Sequence, residues 1–461
     1  MTKKNNLNLF IEKMKAESIP SSVINSFLFC YDEAIQKKKG LISETEISPV
    51  FPNEIKDAKT LERHQASGEQ ALKKTVAIVL NGGLGTSMGL DSTKSLIPVK
   101  EGRSFLEIIM ERSEKKSARL ALMNSFNTHD ETCRAVAELN PQRPPDMFVQ
   151  NKFPKILQEN HKPALWPDNP YMEWNPAGHG DFYLAFYESG TLKSLIDQGI
   201  VYGFVSNSDN LGASLDTSLL GYFADRNAPF MMEVARRTKS DSKGGHLARD
   251  KNGRLILRES SQCRENETAF FSDIDRHCFF NTNNIWINLK FLYDFMQKEK
   301  IIRLPTILNP KHVCPGNTKS PLGYHLETAM GSAISLFQGA EAILVSRSRF
   351  YPVKRCEDLM AIDSDRFIFS EKKGLALSPD STHEAIFIDL DPAYYGTLAS
   401  FQKRFPHGAP SLLHCRSVKI KGDVLFEEGV TLKGDVVIEN RSKKSVTLPK
   451  GAVVDRDILF Q

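Results

Sequence analysis

The sequence predicts an α/β protein in three parts: a helical N-terminal segment, a central domain with a largely parallel sheet, and a C-terminal parallel β-helix. Three observations lead to it. Short apolar runs recur between residues 75 and 348, separated by stretches of helical periodicity. The first of them leads directly into "AIVLNGGLGTSMGLDSTKS" (77–95), where four glycines and a lysine follow the apolar run. From residue 417 apolar residues return every six positions, at Val418, Val424, Val430 and Val436.

The first part, 1–70, reads as helices. Leu7, Phe10, Ile11 and Met14 recur at helical spacing, Pro20 punctuates, and Ile24, Phe27, Leu28, Tyr31 and Ile35 build a second stripe. Lys37, Lys38 and Lys39 suit the negative end of that helix dipole, and Gly40 suits the position just past its end.

The second part, 71–380, has candidate strands at 75–81, 119–124, 201–207, 230–237 and 342–348. Helical periodicity is expected near 128–139, 181–197, 289–299 and 324–338. Strands separated by helices and apolar on both faces belong in a buried, mainly parallel sheet. Ligands of such sheets bind beyond the carboxyl ends of the strands.

The third part, 381–461, carries the six-residue step, which fits one side of a triangular coil stacked on the next. The competing reading is a run of β-hairpins.

Size and composition narrow the function. A chain of 461 residues exceeds what one hydrophobic core serves. Its net charge of +4, from 60 basic and 56 acidic residues well mixed along the chain, gives no reason to propose nucleic acid as a partner. The seven cysteines are scattered and form no C-x-x-C pair, so neither a zinc site nor a disulfide framework is expected. There is no signal-peptide pattern and no membrane-length apolar run, so the expected location is cytoplasmic.

Glycine admits positive φ and close approach of backbone N–H groups to phosphate oxygens. Gly83, Gly85 and Gly89 run G-x-G-x-x-x-G, which fails the dinucleotide fingerprint, and Thr93 before Lys94 fails the Walker loop. What remains is a strand, a glycine loop and a lysine, which suits a nucleotide held by amides and an ammonium or a plain glycine turn.

Here the sequence resembles the eukaryotic-type UTP–glucose-1-phosphate uridylyltransferases (UDP-glucose pyrophosphorylases). The resemblance rests on "LNGGLGTSMG" (80–89) followed by Lys94-Ser95, then in order "FVQNKFPKI", "GHGDFY", "GFVSNSDNLGASLD", "TKSDSKGGHL", "FNTNNIWINL", "LETAMGSAI" and "RSRFYPVK". It implies a glycosyltransferase-A-like (Rossmann-like) nucleotidyltransferase domain and a left-handed C-terminal β-helix. It further implies a transferase that makes UDP-glucose and pyrophosphate, reversibly, from UTP and glucose 1-phosphate, with Mg²⁺ as cofactor.

By the same resemblance Leu80, Asn81, Gly82, Gly83, Gln150 and Gly178 would hold the uridine nucleotide, with Lys94 on the triphosphate. His179, Asn207 and Asn283 would hold the sugar phosphate. Asp209, at the carboxyl end of a strand, would bind Mg²⁺ jointly with the nucleotide, and Lys354 would stabilise the transition state, so Lys354 and Lys94 are the expected catalytic residues. The chain departs from the family at Leu90, Asp91, Ser92 and Thr93, where Cys and then Gly-Pro usually precede the Lys-Ser pair. Many relatives also carry Pro-Pro where Pro176 and Ala177 stand. Alternatives are a uridylyltransferase for galactose 1-phosphate or an N-acetylhexosamine 1-phosphate, and a non-catalytic nucleotide-sugar sensor. Association of copies through the C-terminal β-helix is expected to be possible, with the count open.

Overall fold

The apolar runs become central strands, because a strand covered on both faces has no solvent side to be polar on. The computed structural model describes residues 3–35, 40–370 and 374–461. Its main sheet is built on β1 (Lys56–Asp57), β2 (Thr75–Asn81), β3 (Arg119–Asn124), β4 (Asp146–Val149), β5 (Tyr202–Asn207), β6 (Phe230–Arg236), β7 (Phe279–Asn288) and β8 (Glu341–Leu344). Across the sheet they lie in the order β1-β8-β6-β7-β5-β2-β3-β4.

All neighbours are parallel except those of β7, which runs antiparallel between β6 and β5. The sheet is therefore mixed. The sequence reading treats β7 only as an asparagine-rich motif, because its polar Asn281, Thr282, Asn283 and Asn284 interrupt the apolar pattern.

The helix expected near 324–338 is not there. Leu322–Thr328 is a strand, antiparallel to Thr306–His312, and Met330–Ser335 is a short 3-10 turn. Leu326, Met330, Ala333 and Ile334 do recur at helical spacing, but strand pairing to Thr306–His312 decides the first half. The stretch 181–197 forms two helices, Phe182–Glu188 and Thr191–Asp197, divided by Gly190 at φ +77°.

The N-terminal helices Lys3–Ala16 and Ser21–Ile35 form as expected and share one apolar cluster with the sheet. Phe10 meets Phe27 with ring centroids 5.0 Å apart, and Phe27 meets Phe153 edge-on at 5.4 Å. Lys37, Lys38 and Lys39 lie outside the described residues.

Strands β9 (Phe387–Leu390), β10 (Ser411–Lys421), β11 (Val424–Phe426), β12 (Thr431–Asn440), β13 (Val446–Leu448), β14 (Val453–Val454) and β15 (Ile458–Phe460) pair only in parallel. Neighbouring strands of hairpins would pair antiparallel, so the hairpin reading fails. Val418 lies beside Val436, and Val418, Val424, Val430 and Val436 are all buried, so the six-residue step marks the interior.

This C-terminal part also touches the glycine loop. Met88, Val353, Leu398 and Phe401 belong to one apolar cluster with Val418. A Cβ on Gly89, which sits at φ +73°, would stand 2.8 Å from Thr397 Cγ2. Among the described residues no helix is long and apolar enough to cross a membrane.

Candidate functional site

Strands β2 and β5 run side by side with Asn207 opposite Leu80, so the glycine loop and the Ser208–Asp209–Asn210 turn leave the sheet at one edge. There Lys94 Nζ and Lys354 Nζ both donate to Asp209 Oδ2, each at 2.7 Å. Burial pushes the Asp209 carboxyl up, but the two ammonium groups outweigh it and hold it below the ordinary aspartate range. Asp209 Oδ1 is buried and has no hydrogen-bond partner among the described residues. One carboxylate against two ammoniums leaves the cluster net positive, which suits a polyanion.

The glycine loop is closed by its own backbone. Gly85 N–H donates to the Ser92 carbonyl at 3.1 Å, and Lys94 N–H to the Gly83 carbonyl at 3.1 Å. Gly83 faces open space, whereas a Cβ on Gly82 would stand 3.2 Å from Gln150 Oε1. Asn81 is committed inward: its Nδ2 donates to Asn124 Oδ1 at 2.8 Å and to Thr132 Oγ1 at 3.0 Å. Its side-chain amide thus ties β2 to β3 and to the helix that follows β3. The Leu80 carbonyl accepts from Ser208 N–H at 3.1 Å, linking the two loops.

Opposite the glycine loop, Gln150 Nε2 donates to the Gly178 carbonyl. Gly178 has φ +83°, and a Cβ there would stand 2.7 Å from the backbone N and O of Thr328, so glycine is required. Gly82, Gln150 and Gly178 thus converge, as the sequence resemblance implies for a nucleotide.

His179 Nδ1 accepts from Met330 N–H at 3.2 Å, which leaves the ring proton on Nε2. Burial, with Lys354 nearby, lowers its pKa to about 4, so the imidazole is a neutral donor at pH 7. Two residues on, Asp181 accepts from Asn151 N–H at 2.7 Å and Nδ2 at 3.0 Å, and burial still pushes its pKa up to about 7.

Asn283 adopts φ +59°, held by Asn281, whose Nδ2 donates to Asn283 Oδ1 at 2.8 Å and whose Oδ1 accepts from Asn283 N–H at 2.9 Å. Gly331 abuts this pair: a Cβ on it would stand 2.6 Å from Asn281 Nδ2. The Met330–Gly331 turn therefore seats His179 on one side and Asn281 on the other. Sequence reasoning quoted the block "LETAMGSAI" and gave it no role.

Sequence reasoning also missed Glu233. This carboxylate is fully buried on β6 and receives Arg349 Nε and Nη2 at 2.7 Å each, Trp286 Nε1 at 2.9 Å and Asn284 Nδ2 at 3.0 Å. Burial alone would lower the Arg349 pKa, but Glu233 raises it, so the pair is ionic. Asn210 completes the tie: its Nδ2 donates to the Arg349 carbonyl at 3.0 Å and its Oδ1 accepts from Tyr351 N–H at 2.8 Å. Val353 N–H then donates to the Asp209 carbonyl at 3.0 Å. This network brings Lys354 to Asp209. A lone acid inside the apolar run "FMMEVARR" signals a buried ion pair, but its partner 116 positions away cannot be read from the sequence.

Comparison with known proteins follows the same lines. The family model described as UTP–glucose-1-phosphate uridylyltransferase matches residues 24–433. The potato (Solanum tuberosum) protein of that name is 36% identical over 408 residues, covering 86% of this chain and 84% of its own. The Saccharomyces cerevisiae protein of that name is 35% identical, covering 84% and 78%. Among solved structures, the UDP-glucose pyrophosphorylase from Leishmania major superposes with TM-score 0.90 at 39% identity, covering 99% of both chains. A variant of it in complex with UDP-glucose gives TM-score 0.89 at 38% identity, again over 99% of both chains.

Two outcomes follow from the geometry. Glu233→Gln leaves Arg349 buried without its counter-charge and is expected to lower stability by roughly 3–5 kcal/mol in urea unfolding. An unchanged urea midpoint would remove the network's structural role. The second concerns pH. Between 6.5 and about 4 the unfolded chain protonates this histidine and the folded chain does not, so His179 costs stability as pH falls through that window. Asp181 acts oppositely from about 7 down to 3.8, because the folded state binds its proton first. His179→Gln is therefore expected to lose less stability than the parent, or to gain, between pH 7 and 5 in paired urea titrations. Identical pH slopes for the two proteins would contradict this.

Proposed function

The chain belongs to the UTP–glucose-1-phosphate uridylyltransferase family, and from that premise we propose how its own residues carry the reaction. It is a nucleotidyltransferase that makes UDP-glucose and pyrophosphate from UTP and glucose 1-phosphate. An oxygen of the sugar phosphate attacks the α-phosphorus of UTP in line, and the bond to the β-phosphate breaks as pyrophosphate leaves. Both reactants are anions, so catalysis here is alignment and charge stabilisation.

The observation that carries the assignment of roles is the Asp209 carboxylate between Lys94 and Lys354 at the carboxyl edge of the sheet. Leu80, Asn81, Gly82, Gly83, Gln150 and Gly178 hold the uridine nucleotide. Lys94 takes the triphosphate. His179 donates a hydrogen bond from Nε2–H to the sugar phosphate, which Asn207 and Asn283 also hold. Lys354 follows the charge that develops on the reacting phosphates.

Mg²⁺ is the cofactor of this reading, and the site suits it. Mg²⁺ typically takes one or two carboxylates and completes its shell with phosphates and water. Asp209 supplies a buried oxygen with no protein partner. When bound, the ion supplies neutralisation of phosphate charge.

The three-part division at residues 70 and 380 and the left-handed form of the C-terminal β-helix are part of the same reading. Its support is the parallel pairing of β9 to β15 and the inward valines of the six-residue step.

Pyrophosphate release from UTP and Mg²⁺ with a panel of sugar 1-phosphates tests the roles. Glucose 1-phosphate is expected to be preferred over galactose and N-acetylhexosamine 1-phosphates, and Lys354→Ala to cost about 10²–10³ in rate. Preference for another sugar would move the substrate. A Lys354→Ala enzyme within a few-fold of the parent would remove Lys354 from the chemistry.

A further inference from the structure

We propose that Glu131 is a positioning residue for Lys94, acting through Thr93, whose backbone it holds at a proline-like angle. The proposal rests on the reading of the glycine loop and Lys94 as the triphosphate site. Thr93 directly precedes Lys94, at the end of the glycine loop. Proline fixes φ near −65° and offers no N–H. Thr93 has φ −61°, the angle a proline would impose, without a ring to impose it.

Two hydrogen bonds supply the restraint instead. Thr93 N–H donates to Glu131 Oε2 at 2.7 Å, and Thr93 Oγ1 donates to the same oxygen at 2.6 Å. Thr93 is buried, so both bonds are shielded. They use a donor the loop does not otherwise need, because the neighbouring backbone bonds run from Gly85 N–H to Ser92 and from Lys94 N–H to Gly83. The threonine hydrogen bonds hold the Glu131 carboxyl below the ordinary glutamate range, so it is an ionised acceptor.

Glu131 is itself well anchored. It lies in the first turn of the helix His129–Leu139, where a carboxylate suits the helix dipole. That helix is tied back to the end of β2: Thr128 Oγ1 donates to the Asn81 carbonyl at 2.9 Å, and Asn81 Nδ2 donates to Thr132 Oγ1 at 3.0 Å. A closed circuit results, from Asn81 through the helix to Glu131, across to Thr93, and on to Lys94 and Asp209. The glycine loop is held at its far end by the same helix that receives its near end.

The test is a double-mutant cycle read in KM for UTP, kcat and thermal midpoint. Glu131→Ala in the Thr93 parent is expected to raise KM for UTP about tenfold, the size of one charge-assisted hydrogen bond, with a smaller change in kcat. In a Thr93→Pro background the same substitution is expected to leave KM for UTP within twofold of that background, because proline restrains the loop. Glu131→Gln, which keeps an acceptor oxygen, is expected to recover most of the loss. Equal losses in both backgrounds would overturn the proposal, as would a silent Glu131→Ala in the parent. If Thr93→Pro fails to fold, Thr93→Val, which keeps only the N–H donor, replaces it; additive effects with Glu131→Ala would then overturn the proposal. Lys94→Ala runs alongside. If it leaves UTP use intact, the underlying reading of the loop fails; if it abolishes use while Glu131→Ala is silent, only the role of Glu131 fails.

Discussion

A carboxylate taken out of water at the end of a sheet needs compensation, and Asp209 is compensated twice through one oxygen while its other oxygen stays without a partner. The two ion pairs differ in kind. Lys94 has a side chain only 9% exposed, so its place is set before any ligand arrives, whereas Lys354 is 59% exposed. Lys354 is therefore held to the carboxylate by a side chain that water still reaches, and Lys94 by one that it does not. A buried ammonium and an exposed one on the same carboxylate suit a reaction whose charge moves between phosphates.

Much of the rest of the molecule serves to bring these three side chains together. Asp209 comes directly off β5, and Lys94 comes round the glycine loop from the neighbouring β2. Lys354 arrives from the other side of β7, and its delivery depends on the buried Glu233–Arg349 pair and on Asn210. The C-terminal strands and the helices before them are not remote from this site. Thr397 packs against Gly89, and Met88 and Val353 share an apolar cluster with Leu398 and Val418. The C-terminal part therefore packs directly against the turn of the glycine loop.

What the sequence made legible follows from range. The strand before the glycine loop, the N-terminal helices and the six-residue step are local patterns, and each forms where expected. Gly82, Gln150 and Gly178, and Asp209 with Lys94 and Lys354, were named from quoted blocks of the chain, and the fold brings each set together. Local periodicity failed where long-range pairing decided. Leu322–Thr328 has apolar positions at helical spacing and is a strand because Thr306–His312 pairs with it. Glu233 escaped for the same reason, its meaning lying in a partner far along the chain. Asn81 shows a subtler limit: its type and place are plain in the sequence, but the ties of its amide to Asn124 and Thr132 appear only in the fold.

The central claim is that the charge of Asp209 organises both lysines and the reacting phosphates. Asp209→Asn keeps the shape and removes the charge, so the most direct measurement is its rate of pyrophosphate release at saturating UTP, Mg²⁺ and glucose 1-phosphate, beside its thermal unfolding. A folded protein whose rate falls by about 10²-fold or more is expected. A folded variant that turns over within a few-fold of the parent would contradict it.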